Sequence, residues 1–154
     1  YHLGREAIRH CIRAYDNRLE KTRFSKEIAD EINLEKATDI MKVMQAYHNQ
    51  RTKTAKLAPI VTKYANLGND FAKKICDKAI DELVLAIKAV YQTLEFDDVT
   101  LVIVGSLGNA SGYFGDQLRK RIKTISSKID ITKPVIDPAY AAAKAALIFK
   151  GEIK

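Results

Sequence analysis

The stretch Val99-Thr100-Leu101-Val102-Ile103-Val104-Gly105-Ser106-Leu107-Gly108-Asn109-Ala110-Ser111-Gly112 decides the fold class. Six apolar and β-branched residues run without interruption and stop at a glycine. The run is too short for a helix. Its continuous apolarity predicts a strand over Val99–Val104 buried on both faces, the pattern of a parallel or mixed sheet with helices on each side. A glycine-rich loop from Gly105 to Gly112 follows, and ligands bind beyond the carboxyl ends of such strands. Glycine lets backbone N–H groups approach a phosphate or a flat base closely. The loop is neither the G-x-G-x-x-G dinucleotide fingerprint nor a Walker A loop, which needs Gly-Lys-Ser/Thr.

Downstream, Phe114, Leu118, Ile122 and Ile125 keep helical spacing in a basic segment from Tyr113. Ile129, Ile131 and Val135 suggest a second strand. Pro138 opens a last, Ala-rich helix at its first turn, running to Phe149. Upstream, residues 69–94 carry apolar positions at three- and four-residue intervals from Phe71 to Leu94. They predict a rod roughly 39 Å long, with an apolar face wide enough to be covered on more than one side. Before it, helices are expected over Leu3–Leu19, from a Ser25 cap to Glu31, and over Lys36–Asn49 with a stripe of Ile40, Met41, Met44 and Tyr47. A further helix starts at Thr52 or Thr54, and Pro59 imposes a kink or a late first turn. Leu67-Gly68-Asn69 reads as a C-cap followed by an N-cap.

The expected architecture is therefore α/β: a helical part, 1–95, and a strand-loop-helix-strand-helix part, 96–154. Two strands make a poor sheet on their own. The missing strands are expected on the N-terminal side, because the chain opens at Tyr1 without Met and reads as a C-terminal fragment of a longer protein.

Composition narrows the class. The 154 residues are 47% hydrophobic and 29% charged, with seven Gly and three Pro, which is globular. Cys11 and Cys76 make no disulfide framework, so a reducing, cytoplasmic setting is expected. No apolar run reaches membrane-spanning length. The formal charge of +7 admits nucleic acid or phosphate-bearing partners. His2, His10 and His48 are scattered, and there is no C-x-x-C pair, so no metal centre is expected. Cys11 sits on the apolar face of its helix as a small core residue. Asp97-Asp98 reads as a polar turn, and Arg119-Lys120-Arg121 with Lys123 as a solvated helix face.

Several short motifs recur in a fixed order: Leu3-Gly4-Arg5-Glu6-Ala7, Leu57-Ala58-Pro59-Ile60-Val61, Ala65-Asn66-Leu67-Gly68-Asn69-Asp70, the long helix, and Val102-Ile103-Val104-Gly105-Ser106. In this order they resemble the C-terminal half of the BadF/BadG/BcrA/BcrD-type ATPase family, which includes N-acetylglucosamine and glucosamine kinases. The resemblance covers nearly the whole chain. It implies a ribonuclease-H-like domain of the acetate and sugar kinase, heat-shock cognate and actin superfamily, one of two such domains around a nucleotide cleft. It implies ATP and magnesium as cofactors, with magnesium, the catalytic Asp and most sugar contacts held by an absent N-terminal part. A homodimer is also implied.

The same resemblance places the adenosine loop on Gly105 and Ser106, where Ser106 stands for the family's second glycine, with Leu107, Gly108 and Asn109 lining the same pocket. Gly4, Arg5 and Glu6 match the family's Gly-Arg-Glu and would border the nucleotide. Pro138-Ala139-Tyr140-Ala141-Ala142 lacks the glycine usual in the family's last helix. The function implied is the nucleotide-binding half of an ATP-dependent kinase acting on an amino sugar or sugar acid. Two other readings stay open. One is an ATPase subunit coupled to a reductase, a role the family pairs with a cysteine-held cluster. The other is a non-catalytic α/β module whose basic helix, Tyr113 to Lys128, binds nucleic acid.

Overall fold

A computed structural model describes residues 1–109 and 111–151. Of the glycine-rich loop, Ala110 lies outside the described residues. The element order is α1 (His2–Tyr15), α2 (Arg23–Ile32), a 3-10 turn (Ala37–Asp39) leading into α3 (Ile40–Tyr47), α4 (Arg51–Ala55), α5 (Ala58–Asn66) and α6 (Asp70–Thr93). Then come β1 (Val99–Val102), α7 (Ser106–Asn109), α8 (Tyr113–Lys123), β2 (Ile129–Thr132) and α9 (Pro138–Phe149). Helices precede a βαβ unit, as the α/β reading expects.

Local chemistry sets most boundaries. Helix α2 begins earlier than expected, because Thr22 and not Ser25 is its N-cap. Ser25 lies three residues on and closes a capping box: Ser25 N–H donates to Thr22 Oγ1 at 3.2 Å, and Thr22 N–H donates to Ser25 Oγ at 2.8 Å. Asn33 adopts the left-handed conformation, φ 55°, and ends the helix. The segment around Pro59 divides into α4 and α5, with Pro59 in the first turn of the second. Asn69 caps α6 by accepting from the Ala72 N–H at 3.0 Å. Asp137 does the same for α9, accepting from the Ala139 N–H at 2.8 Å.

The core lies among α1, α2, α5, α8 and the first half of α6. Phe24, Ile28, Val61, Ile80 and Ile122 are fully buried in it, as are Cys11 and Cys76. Burying each large aliphatic or aromatic side chain contributes roughly 1.5–3 kcal/mol. Two expected stripes differ. In α3 the buried residue is Val43, while Met41 and Met44 face solvent, because the helix is only eight residues and packs on a single ridge. In α6, burial is confined to the half from Ala72 to Ile80. There α1, α5 and α8 pack on it. Beyond, Leu85, Val90 and Leu94 are exposed.

The sheet has β1 and β2 paired in parallel among the described residues, with Val99 opposite Ile129 and Val102 opposite Thr132. The strand expected over Val99–Val104 ends at Val102 and is not buried on both faces. Its burial alternates, with Val99 and Leu101 half-buried and Thr100 and Val102 exposed. Helices cover one face only, so half of the apolar run faces outward. The second strand likewise stops at Thr132, and Val135 is 97% exposed. Helix α9 spans the expected residues and buries none of them.

Candidate functional site

The carboxyl end of β1 opens onto the glycine loop. Gly105 has φ +94°, a conformation that favours glycine, and a Cβ there would meet nothing within 4 Å. Ser106 to Asn109 form one helical turn, α7, where an open loop was expected. Asn109 ties that turn down: its Nδ2 donates to the Ile103 carbonyl at 2.7 Å and to the Gly105 carbonyl at 3.1 Å. Its Oδ1 is buried and has no partner among the described residues. Gly108 serves packing, since a Cβ would stand 2.4 Å from Ile103 Cγ2.

Helix α8 is anchored from outside its own sequence. Its N-cap, Gly112, has φ +99° and no side chain to offer. Asn66, from the end of α5, substitutes: its Oδ1 accepts from the Tyr113 N–H at 2.8 Å. A Cβ on Gly112 would collide with that Asn66 amide at 2.6 Å. The Tyr113 hydroxyl donates to Asp77 at 3.0 Å, and Arg121 reaches both Asp77 and Asp81. Burial and then Asp77 raise the Tyr113 pKa. Four side chains thus lock α8 to α6 and hold the loop's exit. Asn66 lay within a quoted motif, but only the distant Gly112 reveals its partner.

Leu107 is the wall between two clefts. One, of about 320 Å³, lies under the loop and is lined by Ile103, Val104, Leu107, Gly108 and Phe114 among others. The other, of about 310 Å³, runs from Leu107 and Phe114 to Tyr1, His2, Leu3 and Glu82. The His2 Nε2 is buried and lacks a partner among the described residues. The first helix therefore does approach the loop, through Tyr1 to Leu3. Gly4, Arg5 and Glu6 do not themselves line that cleft. Gly4 packs on α4, where a Cβ would stand 1.9 Å from the Thr54 carbonyl oxygen. The Arg5 guanidinium lies over the Tyr1 ring at 6.0 Å. Glu6 lines a separate cleft between α1 and α6, with Arg9 and Lys78 as ion-pair partners. The structure gathers Leu107 and Gly108 in one cleft, while of the three expected first-helix residues Arg5 adjoins the second cleft only through Tyr1, and Gly4 and Glu6 face other neighbours.

Other candidates resolve simply. Burial pushes the Cys11 and Cys76 thiols up to about 12, with nearby carboxylates adding to it, which suits core residues. Among the described residues, no three or more His, Cys, Asp or Glu side chains come together to hold a metal ion. The basic helix has part of its charge engaged internally: Arg121 on Asp77 and Asp81, Lys123 on the Ile129 carbonyl, and, just beyond, Lys128 on Asp97, while Lys120 is exposed. No described helix is long and apolar enough to cross a membrane.

Fold and site together define a helix-rich α/β chain with a glycine loop at the end of a parallel strand. No family model matches it. It is 28% identical, over 144 residues, to the N-acetylmuramic acid/N-acetylglucosamine kinase of Clostridium acetobutylicum, covering 92% of this chain and 47% of that protein. It is 28% identical, over 153 residues, to the N-acetyl-D-glucosamine kinase of Dictyostelium discoideum, covering 96% of this chain and 47% of that one. The chain is thus a distant relative of amino-sugar kinases and spans about half the length of the curated relatives it matches.

Proposed function

We propose that this chain is the nucleotide-side part of an ATP-dependent kinase that phosphorylates a hydroxyl of an amino sugar. The observation that carries the reading is the β1–Gly105–α7 turn beside the start of α1, in a chain related along nearly its whole length to two amino-sugar kinases. The adenine ring would enter the cleft between Leu107 and Tyr1–Leu3. There Leu107 and Phe114 offer apolar contact, and His2 and Glu82 offer polar edges. Gly105 would let the ribose approach, because its exposed Cα carries no side chain and has open space. Asn109 would keep the turn shaped through its bonds to the Ile103 and Gly105 carbonyls.

In the reaction, the bond from the β–γ bridging oxygen to the terminal phosphorus breaks and a sugar oxygen takes its place. Such transfers depend on positioning and electrostatic stabilisation more than on covalent chemistry by the protein. On this reading the chain positions the nucleotide. The sugar side and the base that takes the hydroxyl proton belong to sequence outside it. The apolar faces of β1, the second half of α6 and α9 are then surfaces for that remainder. A titration of the full-length gene product with ADP tests the site. Replacing Leu107 by Arg is expected to weaken ADP binding by more than about tenfold, the effect of losing roughly 1.4 kcal/mol of contact. Unchanged affinity in a folded L107R variant would remove the loop from the proposal.

A further inference from the structure

The cleft between α1 and α6 is a second cavity of ligand size, and its chemistry differs from that of the loop. It measures about 410 Å³, within the range of small-molecule sites. Glu6, Arg9, His10 and Arg13 line it from α1, and Phe71, Lys74, Ile75 and Lys78 from α6. On each helix these positions recur at three and four residues, so two continuous faces meet along the groove. Four cations thus oppose a single carboxylate. Glu6 is committed to Arg9 at 3.1 Å and Lys78 at 3.8 Å. Arg13 and Lys74 have no carboxylate within 4.0 Å among the described residues. Both are exposed at the cleft's rim.

The floor is apolar and aromatic. His10 is only 8% exposed; its ring stacks on Phe24, 5.4 Å away, and meets the tilted ring of Phe71, 4.5 Å away. Its Nε2 is buried with no hydrogen-bond partner among the described residues. Burial, and then Arg13, lower its pKa, which disfavours the protonated ring. A groove with a cationic rim, an aromatic floor and limited volume suits a compact anion with an organic body better than an extended polymer.

We infer that the α1–α6 cleft binds a small organic phosphate, with Arg13 and Lys74 on the phosphoryl group and Phe71 and Ile75 under the organic part. This site is separate from the glycine loop and does not rest on the kinase reading. Charge-assisted contacts of this kind weaken with salt.

The test uses the chain with inorganic pyrophosphate as the phosphoryl probe, followed by NMR of the His10 ring and the Lys74 side chain. The expected result is saturable movement of both signals. Affinity should fall about tenfold in Arg13→Ala/Lys74→Ala, as for two lost charge-assisted contacts. The control pair Lys42→Ala/Lys88→Ala removes the same charge elsewhere and is expected to leave the affinity within about twofold. Equal losses in both pairs would show general electrostatics and overturn the site. So would a His10 ring that stays unmoved while the chain binds pyrophosphate, or signals that respond to an oligonucleotide but not to pyrophosphate.

Discussion

Gly4 and Gly105 stand at opposite extremes of what a missing Cβ can mean. At Gly4 an added Cβ would stand 1.9 Å from a backbone oxygen of α4, which cannot move without moving the helix. At Gly105 the space is open and only the positive φ disfavours a side chain. Gly4→Ala is therefore expected to cost about 3 kcal/mol by overpacking, and Gly105→Ala about 1 kcal/mol by backbone strain. Urea denaturation of the two variants measures both. A Gly4→Ala variant as stable as the parent would contradict the close contact with Thr54.

His10 sets a pH dependence at the same scale. Burial first, and Arg13 second, hold its pKa below the ordinary value of 6.5. The unfolded chain therefore takes up a proton at a pH where the folded chain does not. The resulting stability is whole above 6.5 and is lost as the pH falls through the folded value. Denaturation midpoints are expected to fall between about pH 7 and pH 5, and less so in His10→Phe. Identical profiles in both proteins would contradict the burial of this ring. The thiols offer a parallel test. With both pushed up to about 12, Cys11 and Cys76 should resist alkylation near pH 8 in the folded protein and react promptly in urea.

Among the elements, the join between α6 and α8 governs the glycine loop. Asn66 caps α8 in place of Gly112, while Asp77 receives Tyr113 and Arg121. Asn66→Ala is expected to cost about 1 kcal/mol, as for loss of an N-cap, and to speed hydrogen exchange at the Tyr113 amide. Slow exchange at that amide in the variant would show that another group caps the helix.

The elements also show what the amino-acid sequence discloses. Periodicity placed α1, α6 and α8, because each has a continuous apolar ridge or a definite cap such as Asn69, and Pro138 followed by an Ala-rich run placed the last helix. It failed where two signals compete. Thr22 and Ser25 are both good caps, and only the reciprocal bonds choose between them. Of the expected α3 stripe, Ile40 and Tyr47 pack against the core while Met41 and Met44 are exposed. The run Val99–Val104 states how apolar a strand is, not which layers cover it. For the candidate site, Gly105 to Asn109 was legible as a strand-loop-helix junction. Tyr1, His2 and Leu3 were not, because their approach to Leu107 depends on how α1 crosses α6.

The molecule as a whole is unevenly covered. Its core draws on α1, α2, α5, α8 and the first half of α6, whereas β1, the far end of α6 and α9 expose Val102, Val90, Ile148 and Phe149. Exposed apolar patches of this kind mark surfaces for other protein. On the kinase reading, those faces meet the other half, and closing the two halves would bring the sugar to the nucleotide. That claim is tested most directly by measuring ADP release from ATP by the full-length gene product, with and without N-acetylglucosamine, N-acetylmuramic acid and a panel of related sugars. The account predicts ADP only when an accepted amino sugar is present, in step with sugar phosphate formed. Sugar-independent ADP release, or none with any sugar of the panel, would contradict it.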